Sequence, residues 1–106
     1  MIYKDFKKKC NIIKEMSYKI TFYCSACNTP RGTQTASGIP ATKGVTVAVH
    51  PSLYSKNKEI YIEGIGSRKI QDKHGVGKNV IDVYVGDCAK CECNDYGIKY
   101  CDVSGL

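Results

Sequence analysis

Val80–Val85 places the strongest constraint on what this chain can fold into. Ile81, Val83 and Val85 form one apolar face, and Val80, Asp82 and Tyr84 form the other. A β-branched run with period two is a strand. The same period recurs at Tyr18–Cys24, with Tyr18, Ile20 and Phe22 on one face and Lys19, Thr21 and Tyr23 on the other. Val45–Val49 reads as a short buried strand stopped by His50-Pro51. Glu59–Ile65 is another, with Gly64 and Gly66 at its end as a turn or bulge. Arg68–Gln71 is a brief strand leading into a turn at Asp72-Lys-His-Gly-Val-Gly, and Gly97–Val103 is the last. Short strands at close spacing with Gly-rich turns predict a small, mainly β barrel.

The chain has 106 residues, the size of one domain. At 42% hydrophobic and 25% charged residues it is globular in composition, not disordered. Residues 1–16 read as a short polar lead that could be helical, and 17–106 as the barrel domain. Between the first two strands, Asn28 to Gly44 is rich in Gly, Pro, Ser and Thr and reads as a long loop, a length usually tied to function or disorder. The lead lacks the apolar core and small-residue cleavage site of a secretory signal. No apolar run approaches the roughly 18–20 residues of a membrane span. The net charge of +6 favours anionic partners such as nucleic acid, anionic lipid or an acidic wall polymer. Lys7-Lys8-Lys9 is the only basic run, and no basic helix with interleaved aromatics follows it, so nucleic acid is not the expected partner.

Seven cysteines (Cys10, Cys24, Cys27, Cys88, Cys91, Cys93 and Cys101) leave one thiol over from any complete set of disulfides. Cys24-x-x-Cys27 and Cys88-x-x-Cys91 have the spacing that lets two thiolates reach one tetrahedral zinc, with Cys93 and Cys101 as nearby alternatives. Three states stay open: a structural zinc on Cys24, Cys27, Cys88 and Cys91, disulfides, or reduced thiols. His50 and His74 are the only histidines, and neither stands in a Cys–His motif for thiol catalysis.

A carboxylate inside an apolar strand needs a reason, because Asp is a poor strand former and costly to bury unpaired. Asp82 lies opposite the core face, so it is expected to project into a groove. Asp72 lies ten residues upstream, and a turn through Gly75 and Gly77 could bring the two together. Of two carboxylates held close, one keeps its proton near neutral pH and can act as a general acid, as glycosidic cleavage requires. The plainer alternative has Asp72 making a turn and Asp82 pairing with a lysine on a barrel rim.

Several ordered blocks carry a resemblance. Thr35-Ala-Ser-Gly-Ile-Pro-Ala-Thr-Lys-Gly-Val-Thr-Val-Ala-Val-His-Pro is followed by Ile60-Tyr-Ile-Glu-Gly-Ile-Gly, then Gln71-Asp, then Asn79-Val-Ile-Asp-Val-Tyr. Together they resemble the three-aspartate (3D) domain over roughly Tyr18 to Val85, and Tyr-Cys-Ser-Ala-Cys-Asn resembles its cysteine-bearing start. The resemblance implies a six-stranded double-psi β-barrel related to the membrane-bound lytic transglycosylase A group and to stationary-phase survival proteins of Gram-positive bacteria. It implies cleavage of peptidoglycan between N-acetylmuramic acid and N-acetylglucosamine, giving a 1,6-anhydro product, with no cofactor required. Asp82 would be the acid, Asp72 its support, and Ser37, Lys43 and Tyr84 would line the sugar groove.

Two positions depart from that pattern. His50 stands where the family has its first aspartate, and the stretch between the other two aspartates, usually Asp-Thr-Gly-Gly-like, reads Asp72-Lys-His-Gly here and is one residue short. A protonated His50 beside Asp82 would lower the acid's pKa, whereas a neutral one could hydrogen-bond either aspartate as a third member of the site. Three functions are carried forward: a lytic transglycosylase, a non-catalytic wall-glycan-binding barrel, and a zinc- or disulfide-stabilised structural domain. On the first two the expected partner is a peptidoglycan strand. The expected site of action is then the cell wall, reached by lysis or with a phage.

Overall fold

Alternation is clearest in Glu59–Ile62, where Ile60 and Ile62 are buried and Glu59 and Tyr61 face water. That pattern extends through a computed structural model that describes residues 17–28, 31–89 and 92–106. The polar lead, Cys10 and Cys91 lie outside the described residues. Seven strands follow in chain order: β1 (Tyr18–Tyr23), β2 (Thr46–Val49), β3 (Glu59–Ile62), β4 (Gly66–Lys73), β5 (Val80–Tyr84), β6 (Lys99–Cys101) and β7 (Val103–Ser104). Three short 3-10 turns join them, and no α-helix occurs among the described residues. None of the described helical turns is long and apolar enough to cross a membrane.

The strands form one sheet in the order β6-β1-β5-β2-β4-β3-β7. Its two edge strands are separated in sequence by Asp102 alone. Two residues of chain span at most about 7 Å, so the sheet must curl until its edges meet. The result is a nearly closed, barrel-like sheet with seven strands where six were expected. The segment expected as a single last strand breaks at Asp102 because its halves serve opposite edges, β6 on β1 and β7 on β3. At the break the Asp102 carbonyl accepts the Glu63 N–H at 3.0 Å.

The interior is made of Ile20, Val47, Val49, Ile60, Ile62, Ile70, Ile81 and Val83, drawn from β1 to β5. All eight are β-branched, so their restricted rotamers suit a pleated wall, and each contributes about 1.5–3 kcal/mol on burial. A second cluster, Tyr23, Ala41, Ala48 and Tyr84, lies on the other face of the same strands. It exists because the long loop folds back over them: Ala41 N–H donates to Thr33 O at 2.8 Å, and Ser37 N–H to Gln71 O at 3.1 Å. Tyr23 and Tyr84 meet edge to face at 5.2 Å.

β1 and β5 run parallel, as do β2 and β4, and an antiparallel β5–β2 pair joins them. The strand expected at Arg68–Gln71 is twice as long, and Asp72 lies within it rather than in a turn. Pairing with β2 carries the ladder on to Lys73.

Candidate functional site

β4 carries a bulge at Gln71. Val47 pairs with Ile70, but the next residue, Ala48, pairs with Asp72, leaving Gln71 as the extra residue. Strict alternation would turn Asp72 to the same side as Ile70, into the core. The bulge reverses this and places Asp72 on the outer face. Gln71 is buried instead and held from both ends, with Thr46 Oγ1 donating to its Oε1 at 2.6 Å and its Nε2 donating to Asn57 Oδ1 at 2.9 Å.

One row across four strands now reads Thr21, Asp82, Ala48, Asp72, since Thr21 pairs with Asp82, Asp82 with Ala48 and Ala48 with Asp72. The aspartates are two strands apart, about 10 Å between their Cα atoms. Ala48 stands between them with a single methyl group. Thr21 Oγ1 donates to Asp82 Oδ1 at 2.9 Å. The Asp72 carboxylate accepts the backbone N–H groups of Ala36 at 2.9 Å and Lys73 at 2.8 Å.

Burial raises the Asp82 carboxyl above its ordinary value. The Thr21 hydrogen bond and the nearby His74 oppose the rise, and the charge of Asp72 adds to it least. Proximity of two carboxylates, the cause expected from the sequence, is thus the smallest contribution, because Ala48 and a full strand separate them. Tyr23 lies on the same face and is only 6% exposed. Burial first, then the charges of Asp72 and Asp82, push its phenol above the ordinary value. Its hydroxyl is directed toward Asp72 without closing a hydrogen bond of normal geometry.

His50, expected from the sequence as a third member of the site, makes its hydrogen bonds elsewhere. His50 caps the 3-10 turn Pro51–Leu53, its Nδ1 accepting Ser52 N–H at 3.1 Å and lying 2.8 Å from Ser52 Oγ. Both of these contacts go to Ser52 and neither to an aspartate. His74 reaches the field of Asp82. Its Nδ1 accepts Val76 N–H at 3.1 Å and its Nε2 lies 2.7 Å from Val80 O. A carbonyl can only accept, so Nε2 carries a proton in this contact.

Ser37 comes to the site through its backbone: it docks on Gln71 next to Asp72, while its hydroxyl braces the loop against Thr35 and the Ile39 N–H. Lys43 and Tyr84 line a cavity of about 290 Å³ with Phe22, Arg68 and Tyr96, and neither aspartate borders it. Thr21 and Tyr23 were not singled out from the sequence. Their alternation was visible, but their partner strand lies sixty residues away and nothing local announces a parallel pairing.

The expected zinc set is divided. Cys24 and Cys88 are joined as a disulfide, and Cys91 lies outside the described residues. The Cys27 sulfur lies 3.2 Å from that of Cys93 and 3.8 Å from that of Cys24. The sulfurs of Cys24, Cys27 and Cys93 all fall within 4.8 Å of one another, a cluster that could hold a metal ion. A clasp surrounds it: Asp87 takes hydrogen bonds from Ser25 Oγ and from Arg31 at 2.9 Å, and Arg31 also donates to the Cys88 carbonyl and, at 3.2 Å, to that of Ala89. The Ser25 bond, then Arg31, holds the Asp87 carboxyl below its ordinary value.

A scan against models of known protein families finds no match, and a comparison with curated proteins finds none either.

Proposed function

We propose that the face carrying Asp82 and Asp72 is a glycan-cleaving site of the lytic transglycosylase type, acting on peptidoglycan. The observation that carries this reading is Asp82 itself. It is a half-buried carboxyl on an outer face, raised by burial and oriented by one neutral donor, Thr21. A carboxylic acid that keeps its proton toward neutral pH can give it to a glycosidic oxygen. As the bond between that oxygen and the anomeric carbon breaks, positive charge develops on the sugar ring, and the Asp72 carboxylate faces it across Ala48. The Asp82 carboxylate then takes the proton of the muramyl 6-hydroxyl. That oxygen bonds to the anomeric carbon and closes the 1,6-anhydro ring, with no water consumed. Two parallel strand pairs about an antiparallel centre support reading the barrel as a double-psi, 3D-type fold.

Digestion of purified muropeptide chains, read by mass spectrometry, tests the reaction. Wild type should release 1,6-anhydro products and Asp82→Asn should release none. Equal release by both would remove Asp82 from the role of acid. A second reading, glycan binding without cleavage, is favoured by His50, which is committed to Ser52 and lends nothing to either aspartate. Retention on insoluble peptidoglycan without anhydro products would select it.

A further inference from the structure

We propose that Cys24, Cys27, Cys88 and Cys93 form a zinc site that assembles when the Cys24–Cys88 disulfide is reduced. It is independent of the glycan reading. In a tetrahedral thiolate site with zinc–sulfur bonds of about 2.3 Å, neighbouring sulfurs lie about 3.8 Å apart. Cys24 and Cys27 already stand at 3.8 Å, and the Cys27–Cys93 pair at 3.2 Å needs to open by about half an ångström. The Cys27 N–H donates to Cys24 O at 2.9 Å, a tight turn that aims both sulfurs to one side.

The fourth ligand cannot drift away once the disulfide opens. Ser25 N–H donates to Gly86 O at 3.2 Å, and the Asp87–Ser25–Arg31 clasp holds the Cys88 backbone against the Cys24–Cys27 turn. None of these bonds involves sulfur. Cys24 and Cys93 are buried while Cys27 is exposed, so an ion has a route in and a covered place to stay. Four thiolates around one dication leave two negative charges, which buried sulfurs would carry at high cost without a nearby cation. Arg31 stands at the rim, shared between Asp87 and the carbonyls of Cys88 and Ala89.

The steps balance. A dithiol delivers two electrons and two protons, is itself oxidised to a disulfide, and leaves Cys24 and Cys88 as thiols. Zinc(II) then replaces the four thiol protons, which pass to solvent. In both forms the same two segments are tied, first by a covalent bond and then by a metal, and reduction lets the Cys24 and Cys88 sulfurs part to the spacing a shared ion needs.

The test uses the full chain, reduced with a phosphine and freed of metal under argon, with cobalt(II) as the probe. One ion per chain should bind, with tetrahedral ligand-field bands and charge-transfer intensity for four thiolates, and zinc should displace it stoichiometrically. Unreduced protein should give no such spectrum. Cys88→Ser and Cys93→Ser should each lose the four-thiolate signature, and Cys101→Ser and Cys91→Ser should keep it. A reduced wild type without a tetrahedral spectrum overturns the proposal whatever the variants do. So does a four-thiolate spectrum that survives Cys93→Ser or Cys88→Ser, or one equally strong before reduction.

Discussion

The Cys24–Cys88 disulfide closes a loop between residues 64 apart. Cross-linking a loop of that length removes unfolded-chain entropy worth about 4 kcal/mol at 25 °C. A domain of this size has a total stability of only about 5–15 kcal/mol, so the bond accounts for a large part of it. Replacing both residues together, Cys24→Ser with Cys88→Ser, tests this without leaving either member of the bonded pair behind as a new thiol. At about 4–8 °C per kcal/mol, the melting temperature should fall by roughly 15–30 °C. Circular dichroism melts in the presence of a chelator are the measurement, so that metal binding cannot replace the lost link. Cys101→Ser, a half-buried thiol on β6, is the matched control and should melt near wild type. A double variant melting within about 5 °C of wild type would refute the reasoning, because loop closure would then contribute less than about 1 kcal/mol.

Three other perturbations follow from the site. Asp82 has a raised carboxyl pKa in the folded chain, so the stability it contributes is fully present at low pH and is lost, together with the proton the proposed acid must give, as pH rises through that value; Thr21→Val removes a bond that lowers it and should move the alkaline limb of the pH–rate profile upward, whereas an unmoved limb would assign it to another group. Gln71→Leu leaves the buried Thr46 O–H without its acceptor, though its oxygen still takes the Thr42 N–H, and should cost about 1–3 kcal/mol in denaturant unfolding, with a loss below about 0.5 kcal/mol counting against the network at the bulge. Tyr23→Phe removes a buried hydroxyl that closes no hydrogen bond of normal geometry, so stability should hold or rise; a loss above about 1 kcal/mol in denaturant unfolding would show that Asp72 holds the hydroxyl in solution.

How much of this was legible in the chain depends on the range of the interaction. Val80–Val85 announces itself because its alternation is local, and the strand found ends one residue earlier, at Tyr84. Asp82 was legible as the acidic residue on the outward face for the same reason. Asp72 was legible as a residue but not as a strand position. Its orientation depends on a bulge, set by where β2 pairs and where the long loop docks. The loop's Gly-, Ser- and Thr-rich composition indicates a connection, not that its backbone would bond Gln71 and Asp72. Cysteine pairing is less readable still, since spacing favours Cys88 with Cys91 while β1 and β5, by running parallel, carry Cys24 to Cys88.

That parallel pairing is what joins the cross-link to the carboxyl chemistry. β1 presents Thr21 and Tyr23 on the outer face, and the next residue is Cys24. β5 presents Asp82 and Tyr84, and Cys88 follows four residues after the strand ends. The disulfide therefore pins the ends of two neighbouring strands whose register sets Thr21 against Asp82 and Tyr23 against Tyr84. A slip of one residue between strands exchanges their inner and outer faces. Here it would bring Ile20 or Phe22 opposite Asp82 and leave the acid without its donor. A link between residues 24 and 88, sulfur–sulfur or sulfur–metal–sulfur, works against that slip by holding the two strand ends together. The cysteines can then act on the proton at Asp82 without touching it, by fixing which residue of β1 stands beside it.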